Sequence, residues 1–268
     1  MLRSPLLPEP VPDFTGKTAL VTGAASGIGA AVATCLHSEG ARLFCADISL
    51  SGAERTAAAL TGAHALGLDV RSETSWEAAL NAVLIAGRRL DVLVNCVGIA
   101  AGSPLVDTSH DEWRQVLAVN LDGAFLGTKH AMRAMRDQKP AGGAIVHIGS
   151  ASGRKPAAGA AAYSASKAAL AMLVRTAAKE CLAAGWPIRI NLVSPAGVRT
   201  PMWSSMPCFR DLVAQHGSED AAYAALSAAG SGTFVEADVV ARAVCFLAGT
   251  GASHITGAEL PVDDGYTL

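Results

Sequence analysis

Charged and aromatic residues are scarce in this chain of 268 residues, at 16% and 5% of the total. Twenty-three acidic residues nearly balance twenty-one basic ones, which gives a formal net charge of −2, and no segment concentrates lysine or arginine. A nucleic-acid-binding surface needs a basic patch, so this composition argues against nucleic acid as a partner. A small-molecule substrate is the favoured partner.

Long uninterrupted apolar runs are also lacking. No stretch reaches the length of a membrane span without a charged or turn residue, and residues 1–13 have no apolar run long enough for a signal peptide. The six cysteines lack the close pairs that zinc sites show, which favours reduced thiols and no metal. We therefore expect a cytoplasmic protein with no membrane segment and a flexible N-terminal arm at 1–13.

Hydrophobic residues, by contrast, make up 51% of the chain, enough for a large core. Short β-type segments alternate with helical patterns, which is typical of a parallel sheet covered by helices. We expect strands at 17–22, 42–46, 64–68, 90–95, 144–148, 188–192 and 258–262, and helices near 27–38, 51–60, 72–86, 110–136, 163–183 and 236–248. The pattern predicts one Rossmann-like α/β domain over 14–268, a doubly wound sheet of about seven parallel strands.

The segment 196–232 fits neither pattern and is too long for a connector, so we expect a small substrate lobe or lid. It carries Met202, Trp203 and Met206, whose large apolar side chains suit a bulky, uncharged ligand. Packing of these residues onto the body of the domain is an equally good interpretation of each one.

A glycine-rich turn, TGAASGIG at 22–29, follows the first predicted strand. Glycine tolerates unusual backbone angles, and its missing side chain lets a pyrophosphate approach the helix N-terminus. Asp47 ends the second strand eighteen residues after Gly29, close to the spacing at which a carboxylate meets adenosine ribose hydroxyls. A carboxylate there repels the extra phosphate of NADP, which predicts NAD; a helix cap is the alternative role for Asp47.

Ser150, Tyr163 and Lys167, with Asn120 upstream, have the spacing that an alcohol-oxidising site needs. On a helix, Lys167 lies one turn beyond Tyr163 on the same face, and a nearby cation favours tyrosinate. We therefore predict Tyr163 as the general base, with a pKa lowered by Lys167. Asn120 has an alternative role, since asparagine within a helix can bend it.

Together these motifs resemble the classical short-chain dehydrogenases/reductases over roughly residues 15–265. The resemblance implies that Ser150 binds the substrate oxygen, that Lys167 holds the nicotinamide ribose and that Asn120 anchors a water. It places Asn95 and Gly98 beside adenosine and Val198 and Thr200 near the carboxamide. The predicted cofactor-binding set is Gly23, Ser26, Gly27, Ile28, Gly29, Asp47, Ile48, Asp69, Val70, Asn95, Gly98, Tyr163, Lys167, Pro195, Gly197, Val198 and Thr200. The predicted substrate-binding set is Ser150, Ser152, Tyr163, Met202, Trp203 and Met206.

The sequence departs from that family's pattern in four places, one of them a pair of adjacent residues, and none removes a catalytic group. They are Cys96 with Val97, Gly149, Ala196 and Asp264. The predicted function is NAD-dependent interconversion of a secondary alcohol and a ketone on an alicyclic or steroid-like substrate, in a homo-oligomer, with a tetramer favoured over a dimer. The alternatives are a 3-oxoacyl-thioester reductase and a non-catalytic nicotinamide-binding sensor.

Overall fold

The computed structural model describes residues 14–268, so the predicted arm at 1–13 lies outside the described residues. One sheet of seven parallel strands forms the centre of the molecule. Its strands are β1 (Thr18–Thr22), β2 (Arg42–Asp47), β3 (His64–Gly67), β4 (Val92–Asn95), β5 (Gly143–Ile148), β6 (Ile188–Pro195) and β9 (Glu259–Val262). A two-stranded parallel pair, β7 (Gly197–Val198) with β8 (Phe234–Val235), lies apart from the sheet.

Ten α-helices within 14–268 connect the strands. They are α1 (Gly27–Ser38), α2 (Leu50–Ala58), α3 (Glu73–Gly87), α4 (His110–Leu117), α5 (Gly123–Asp137), α6 (Ala161–Ala183), α7 (Pro201–Ser205), α8 (Pro207–His216), α9 (Glu219–Leu226) and α10 (Ala237–Ala248). The helix predicted at 110–136 is α4 and α5 joined by a π-helical turn at Ala118–Asp122. Within 14–268, no helix combines the length and apolarity needed to cross a bilayer.

The strand order is β3-β2-β1-β4-β5-β6-β9, so the winding direction reverses between β1 and β4. Side chains of each strand alternate between the two faces of the sheet: Val21 joins the core under α1 and α10, whereas Leu20 joins the core under α3, α5 and α6. Because both faces are covered, the central strands β1, β4 and β5 are mostly apolar and buried. This is the predicted Rossmann-like fold with seven parallel strands, and its ligand crevice is expected at the reversal point.

The predicted lobe consists of α7, α8 and α9 together with β7. It has a small core of its own, in which Phe209 and Tyr223 are buried and Trp203 and Met206 are partly buried. The rings of Trp203 and Phe234 meet edge-on with centroids 5.1 Å apart, so the lobe is also attached to β8. Aromatic packing, rather than extension of the main sheet, positions this segment above the carboxyl ends of the strands.

Candidate active site

A crevice of about 770 Å³ runs along the carboxyl ends of the central strands. Eleven of the predicted cofactor-binding residues line it: Gly23, Ser26, Gly27, Ile28, Gly29, Asp47, Ile48, Asp69, Val70, Gly98 and Thr200. Loops after β1, β2, β3, β4 and β7 supply these residues, so positions distant in sequence converge where the strand order reverses. The size and shape of the crevice suit an extended dinucleotide.

The glycine turn has the backbone that its sequence predicts. Gly23 and Gly27 have positive φ values of 68° and 56°, and a Cβ added to Gly29 would lie 2.1 Å from the carbonyl oxygen of Gly23. A side chain at Gly29 would therefore fill the turn itself. With α1 starting at Gly27, this turn leaves helix N-terminal amides open to an anion, which fits a cofactor pyrophosphate.

Asp47 lies in the crevice and supports the same turn. Its Oδ2 accepts a hydrogen bond of 3.1 Å from the amide of Ala25, and its Oδ1 accepts one of 2.9 Å from the amide of Ser49. Ser49, not Asp47, caps α2, since its side chain accepts from the amide of Gly52. The carboxylate therefore stands between the glycine turn and the crevice, with acceptor capacity left for a ligand.

Asp69 already has a partner in the crevice. The guanidinium of Arg71 binds its carboxylate through Nε at 2.9 Å and Nη2 at 2.7 Å, and these hydrogen bonds are the main cause of the lowered pKa of Asp69. Arg71 was not predicted from the sequence, although its position two residues after Asp69 on a turn was the available signal. Any contact of Asp69 with a cofactor must share this carboxylate with Arg71.

One face of α4 and of the π-helical turn after it also lines the crevice and was missed. Glu112, Gln115, Val116 and Val119 face it at three- and four-residue spacing, and the helical period of this segment was the signal that could have identified them. Thr200, Pro201, Met202 and Ser205 line the opposite side. Trp203 and Met206, predicted to contact substrate, pack into the lobe core and do not line the crevice.

Ser150, Tyr163 and Lys167 lie close together behind Gly98. The hydroxyls of Ser150 and Tyr163 are hydrogen-bonded, and Ser150 also accepts a bond of 3.1 Å from the amide of Ser152, which holds its side chain in place. The Lys167 Nζ lies 5.7 Å from the Tyr163 ring centroid. A Cβ added to Gly98 would lie 3.3 Å from the same Nζ atom. The cluster therefore lies beside the crevice wall.

Burial sets the pKa values of this cluster. It raises the pKa of Tyr163, while the hydrogen bond with Ser150 lowers it. Burial also lowers the pKa of Lys167 to about 8, and its ammonium donates to the carbonyl of Ile148 at 2.8 Å. The predicted lowering of the tyrosine pKa by Lys167 is thus not observed, because Ser150 makes the direct contact and Lys167 is directed to a backbone oxygen.

Asn120 lies in the π-helical turn between α4 and α5 and is almost completely buried. Its Oδ1 accepts from the amide of Ile99 at 2.8 Å, and its Nδ2 donates to the carbonyl of Ile99 and to Ser166 Oγ. The side chain therefore joins the loop after β4 to α6, the helix that carries Tyr163 and Lys167. Asn120 thus occupies a helix irregularity, as the alternative role in helix bending predicts.

Asn95 faces away from the crevice, into a buried network with His147 and Thr128. Asn95 Nδ2 lies 3.4 Å from His147 Nδ1, and His147 Nε2 lies 3.1 Å from Thr128 Oγ1. The Thr128 hydroxyl donates to the carbonyl of Ala124, so it accepts from Nε2–H and leaves Nδ1 as the acceptor for Asn95. Burial, with a smaller effect of the Lys167 charge, lowers the pKa of His147 to about 3.

Acidification is expected to reduce the stability of the wild-type protein more than that of His147→Gln. The unfolded histidine takes up a proton below pH about 6.5, whereas the buried one stays neutral down to about 3. The free energy of unfolding should therefore decrease as the pH is lowered, by about 2 kcal/mol between pH 6.5 and 5. Above pH 6.5 the contribution of His147 should be constant. Urea unfolding at both pH values tests this; equal losses in the two proteins would contradict it.

Pro195, Gly197 and Val198, also predicted to bind the cofactor, support the crevice from behind. Val198 is buried, and a Cβ on Gly197 would lie 2.8 Å from the ring of Phe234. Ser152 lies on the turn after Ser150 and contributes its amide to the Ser150 hydroxyl. Val198 packs in the core, and the chain that follows it brings Thr200 into the crevice.

A family model described as enoyl-(acyl carrier protein) reductase matches residues 23–267. The chain belongs to the short-chain dehydrogenase/reductase family. This dehydrogenase/reductase is 36% identical over 255 residues to a cyclopentanol dehydrogenase of Comamonas sp., covering 94% of this chain and 97% of that protein. It is 37% identical over 259 residues to the cis-4-hydroxycyclohexanecarboxylate dehydrogenase of Sinomonas cyclohexanicum, covering 95% and 98%.

Among solved structures, a 3-ketoacyl-(acyl-carrier-protein) reductase from Brucella melitensis complexed with NADH has a TM-score of 0.82 and 28% identity, covering 95% of this chain and 99% of that one. These findings make the protein an oxidoreductase with the nicotinamide cofactor, NAD or NADP, that its family uses.

Proposed function

We propose that this dehydrogenase/reductase interconverts a secondary alcohol and a ketone with NAD as cofactor. The observation that carries the proposal is the hydrogen-bonded pair of Ser150 and Tyr163, with the Lys167 ammonium beside the tyrosine ring, next to a crevice that fits a dinucleotide. When bound, the nicotinamide supplies the hydride chemistry. The chain itself has to bind the substrate oxygen and move its proton.

In this proposal the Tyr163 hydroxyl oxygen takes the proton from the substrate alcohol, or donates it to the ketone oxygen. Ser150 donates a hydrogen bond to the same substrate oxygen, and its contact with the amide of Ser152 fixes the direction of its hydroxyl. The raised pKa of free Tyr163 means that a further positive charge is needed for ionisation near neutrality. A bound oxidised nicotinamide would supply that charge.

Lys167 and Asn120 complete the catalytic set. Lys167, held by the Ile148 carbonyl behind Gly98, is placed to reach a cofactor ribose, and Asn120 keeps α6 in register with the loop after β4. We propose that the turn around Asn120 also anchors the water that returns the proton to solvent. The proposed cofactor-binding residues are Lys167 and the eleven predicted residues that line the crevice, with Pro195, Gly197 and Val198 as support.

We propose NAD rather than NADP on the basis of Asp47 and Arg71. Asp47 places a carboxylate in the crevice, and Arg71 is engaged in two hydrogen bonds with Asp69 and is therefore not free to bind a phosphate. Adding a phosphate near Asp47 would bring two negative charges together.

Asp47→Asn is expected to reduce the preference for NAD⁺ over NADP⁺ by about tenfold or more, which corresponds to removing about 1.4 kcal/mol of charge repulsion. Asparagine keeps one oxygen that can accept from the amide of Ala25 and preserve the glycine turn, whereas the bond from the amide of Ser49 is lost. The kcat/KM values for the two cofactors measure the effect. A wild-type preference for NADP⁺, or an unchanged ratio in the variant, would contradict the assignment.

The substrate that we propose is bulky and largely apolar, of the alicyclic or steroid-like class. Met202 and Ser205 line the crevice with one apolar and one small polar side chain. The neighbouring Trp203 and Met206 pack in the core of the lobe. Two relatives are named for cyclopentanol and a hydroxycyclohexane carboxylate, which agrees with this class. A 3-oxoacyl-thioester reductase is the second candidate, favoured by the name of the Brucella protein.

A panel of substrates separates these candidates. Cyclic, steroid, aliphatic and sugar alcohols are followed by NADH absorbance, and acetoacetyl thioesters are tested in parallel with NADPH and NADH. The proposal predicts the highest kcat/KM for a cyclic or steroid alcohol with NAD⁺. A far higher value for the thioester with NADPH would favour the second candidate, and cofactor binding with no turnover of any substrate would favour a non-catalytic sensor.

We also propose a cytoplasmic homo-oligomer, with a tetramer favoured over a dimer. Phe125 on α5 and Met172 on α6 are large apolar side chains that are about half exposed, at 47% and 58%. Burying them against another subunit would be favourable. Light scattering of the purified protein measures the mass directly.

A further inference from the structure

Two cysteines and a glutamate meet at the end of α1 away from the crevice. The Sγ atoms of Cys35 and Cys245 and a carboxylate oxygen of Glu39 all lie within 4.8 Å of one another. Cys35 and Glu39 are four residues apart and so share one face of α1, and Cys245 comes from α10, which packs on that face. None of these groups has a part in the proposed reaction.

The three atoms have the spacing of metal ligands. Zinc binds thiolate sulfur at about 2.3 Å and carboxylate oxygen at about 2.0–2.2 Å in tetrahedral geometry, so the sulfur and oxygen ligands of one ion are about 3.5–3.7 Å apart. The Cys35 Sγ lies 3.7 Å from Glu39 Oε1. The Cys245 Sγ lies within 4.8 Å of both of these atoms.

The surroundings provide access and charge balance. A hollow of about 270 Å³ opens beside the cluster and is lined by Glu39, Arg242, Cys245, Phe246 and Gly251, so water can complete a coordination shell. Two thiolates and a carboxylate exceed the charge of a divalent ion by one negative unit. Arg242, which also pairs with Asp238, lies close enough to offset part of that excess.

We propose that Cys35, Glu39 and Cys245 form a binding site for a thiophilic divalent cation of the zinc type, with water as the fourth ligand. The ion would join α1 to α10 at the end of α1 opposite the glycine turn. Its effect is therefore on the stability of this helix pair, and the active-site crevice is left free. Such a site differs from the sequence expectation of no metal, which considered only cysteines close in sequence, whereas these two come from different helices.

A second group of metal-binding side chains, Glu73, Glu77 and His130 on α3 and α5, is less suitable. The Lys129 ammonium already forms an ion pair of 2.5 Å with Glu73, and His130 contacts the same carboxylate oxygen. A cation would have to displace Lys129. This group therefore serves as the comparison site.

The test uses the full chain, free of tags, reduced and treated with a chelator, and titrated with Co²⁺ as a spectroscopic probe. The expected result is a thiolate-to-cobalt charge-transfer band that saturates at one ion per chain and disappears on addition of Zn²⁺. The band should vanish in Cys35→Ser and require at least about tenfold more Co²⁺ in Glu39→Gln. Zn²⁺ should raise the Tm of the wild type and leave that of Cys35→Ser unchanged.

The matched control is Cys208→Ser, which removes an exposed cysteine on α8 and should leave the band intact. Cys35 is chosen over the buried Cys245 because it is only partly buried, which makes a folding defect less severe. Absence of the band, its persistence in Cys35→Ser, or its loss in His130→Asn instead would each overturn the proposal. The proposal would also be overturned if Cys35 and Cys245 readily formed a disulfide in air and the reduced protein did not bind Co²⁺.

Discussion

Replacing Tyr163 with phenylalanine is expected to lower kcat/KM for alcohol oxidation by about 10²–10⁴-fold, the usual contribution of a positioned general base. The variant loses only the hydroxyl that is hydrogen-bonded to Ser150, and the aromatic ring keeps its place on α6 beside Lys167. Initial rates of NADH formation from a secondary alcohol measure the loss.

Cofactor binding supplies the first control for this variant. The crevice lining does not include the Tyr163 hydroxyl, so the Kd for NADH should change by less than about threefold. Tyr266→Phe is the matched substitution, because it removes a tyrosine hydroxyl near the C-terminus and keeps the ring that lies under the Lys155 ammonium. Turnover in Tyr163→Phe equal to that in Tyr266→Phe would show that the proton-transfer assignment is wrong.

Gly29→Ala is expected to remove most dinucleotide binding and to lower the stability of the fold. The added Cβ would lie 2.1 Å from the carbonyl oxygen of Gly23, and neither backbone can move without opening the turn between β1 and α1. Overpacking of this kind costs about 1–3 kcal/mol or more. We expect a Kd for NADH at least about tenfold higher and a Tm lower by about 5 °C.

Gly67→Ala is the matched control for that change. A Cβ at Gly67 would meet only the Cβ of Leu50, at 4.0 Å, so the same methyl group is accommodated at the end of β3. Fluorescence titration with NADH and thermal unfolding distinguish the two variants. Equal affinity for NADH in both would mean that the glycine turn does not hold the cofactor.

Local patterns predicted the sheet because each strand is an apolar run followed by a helix of clear period. The seven strands were placed within a few residues, and the helix predicted from residue 72 is α3, which Ser72 caps by accepting from the amide of Ser75. The sequence also predicted which loops meet, since the carboxyl ends of parallel strands share one edge. Of the eleven predicted residues that line the crevice, Gly98 and Thr200 were assigned by the family resemblance.

Local sequence patterns could not predict contacts between segments that are distant in the sequence. The packing of Trp203 against Phe234, the pairing of Arg71 with Asp69 and the contact of Cys35 with Cys245 depend on how elements pack in three dimensions. The predicted lowering of the Tyr163 pKa was wrong in direction for the same reason. The sequence showed the nearby lysine, whereas the burial of the phenol, which raises its pKa, follows only from the fold. Physical environment, rather than residue type, decided each of these cases.

The most direct test of the account is the fate of the hydrogen on the alcohol carbon. Cyclopentanol deuterated at that carbon is incubated with wild-type protein and NAD⁺, and the products are analysed by NMR. The account predicts cyclopentanone and NADH in equal amounts, with the deuterium on the nicotinamide ring, and no such product with Tyr163→Phe over the same time. Appearance of the deuterium in water, or equal product formation by the variant, would contradict it.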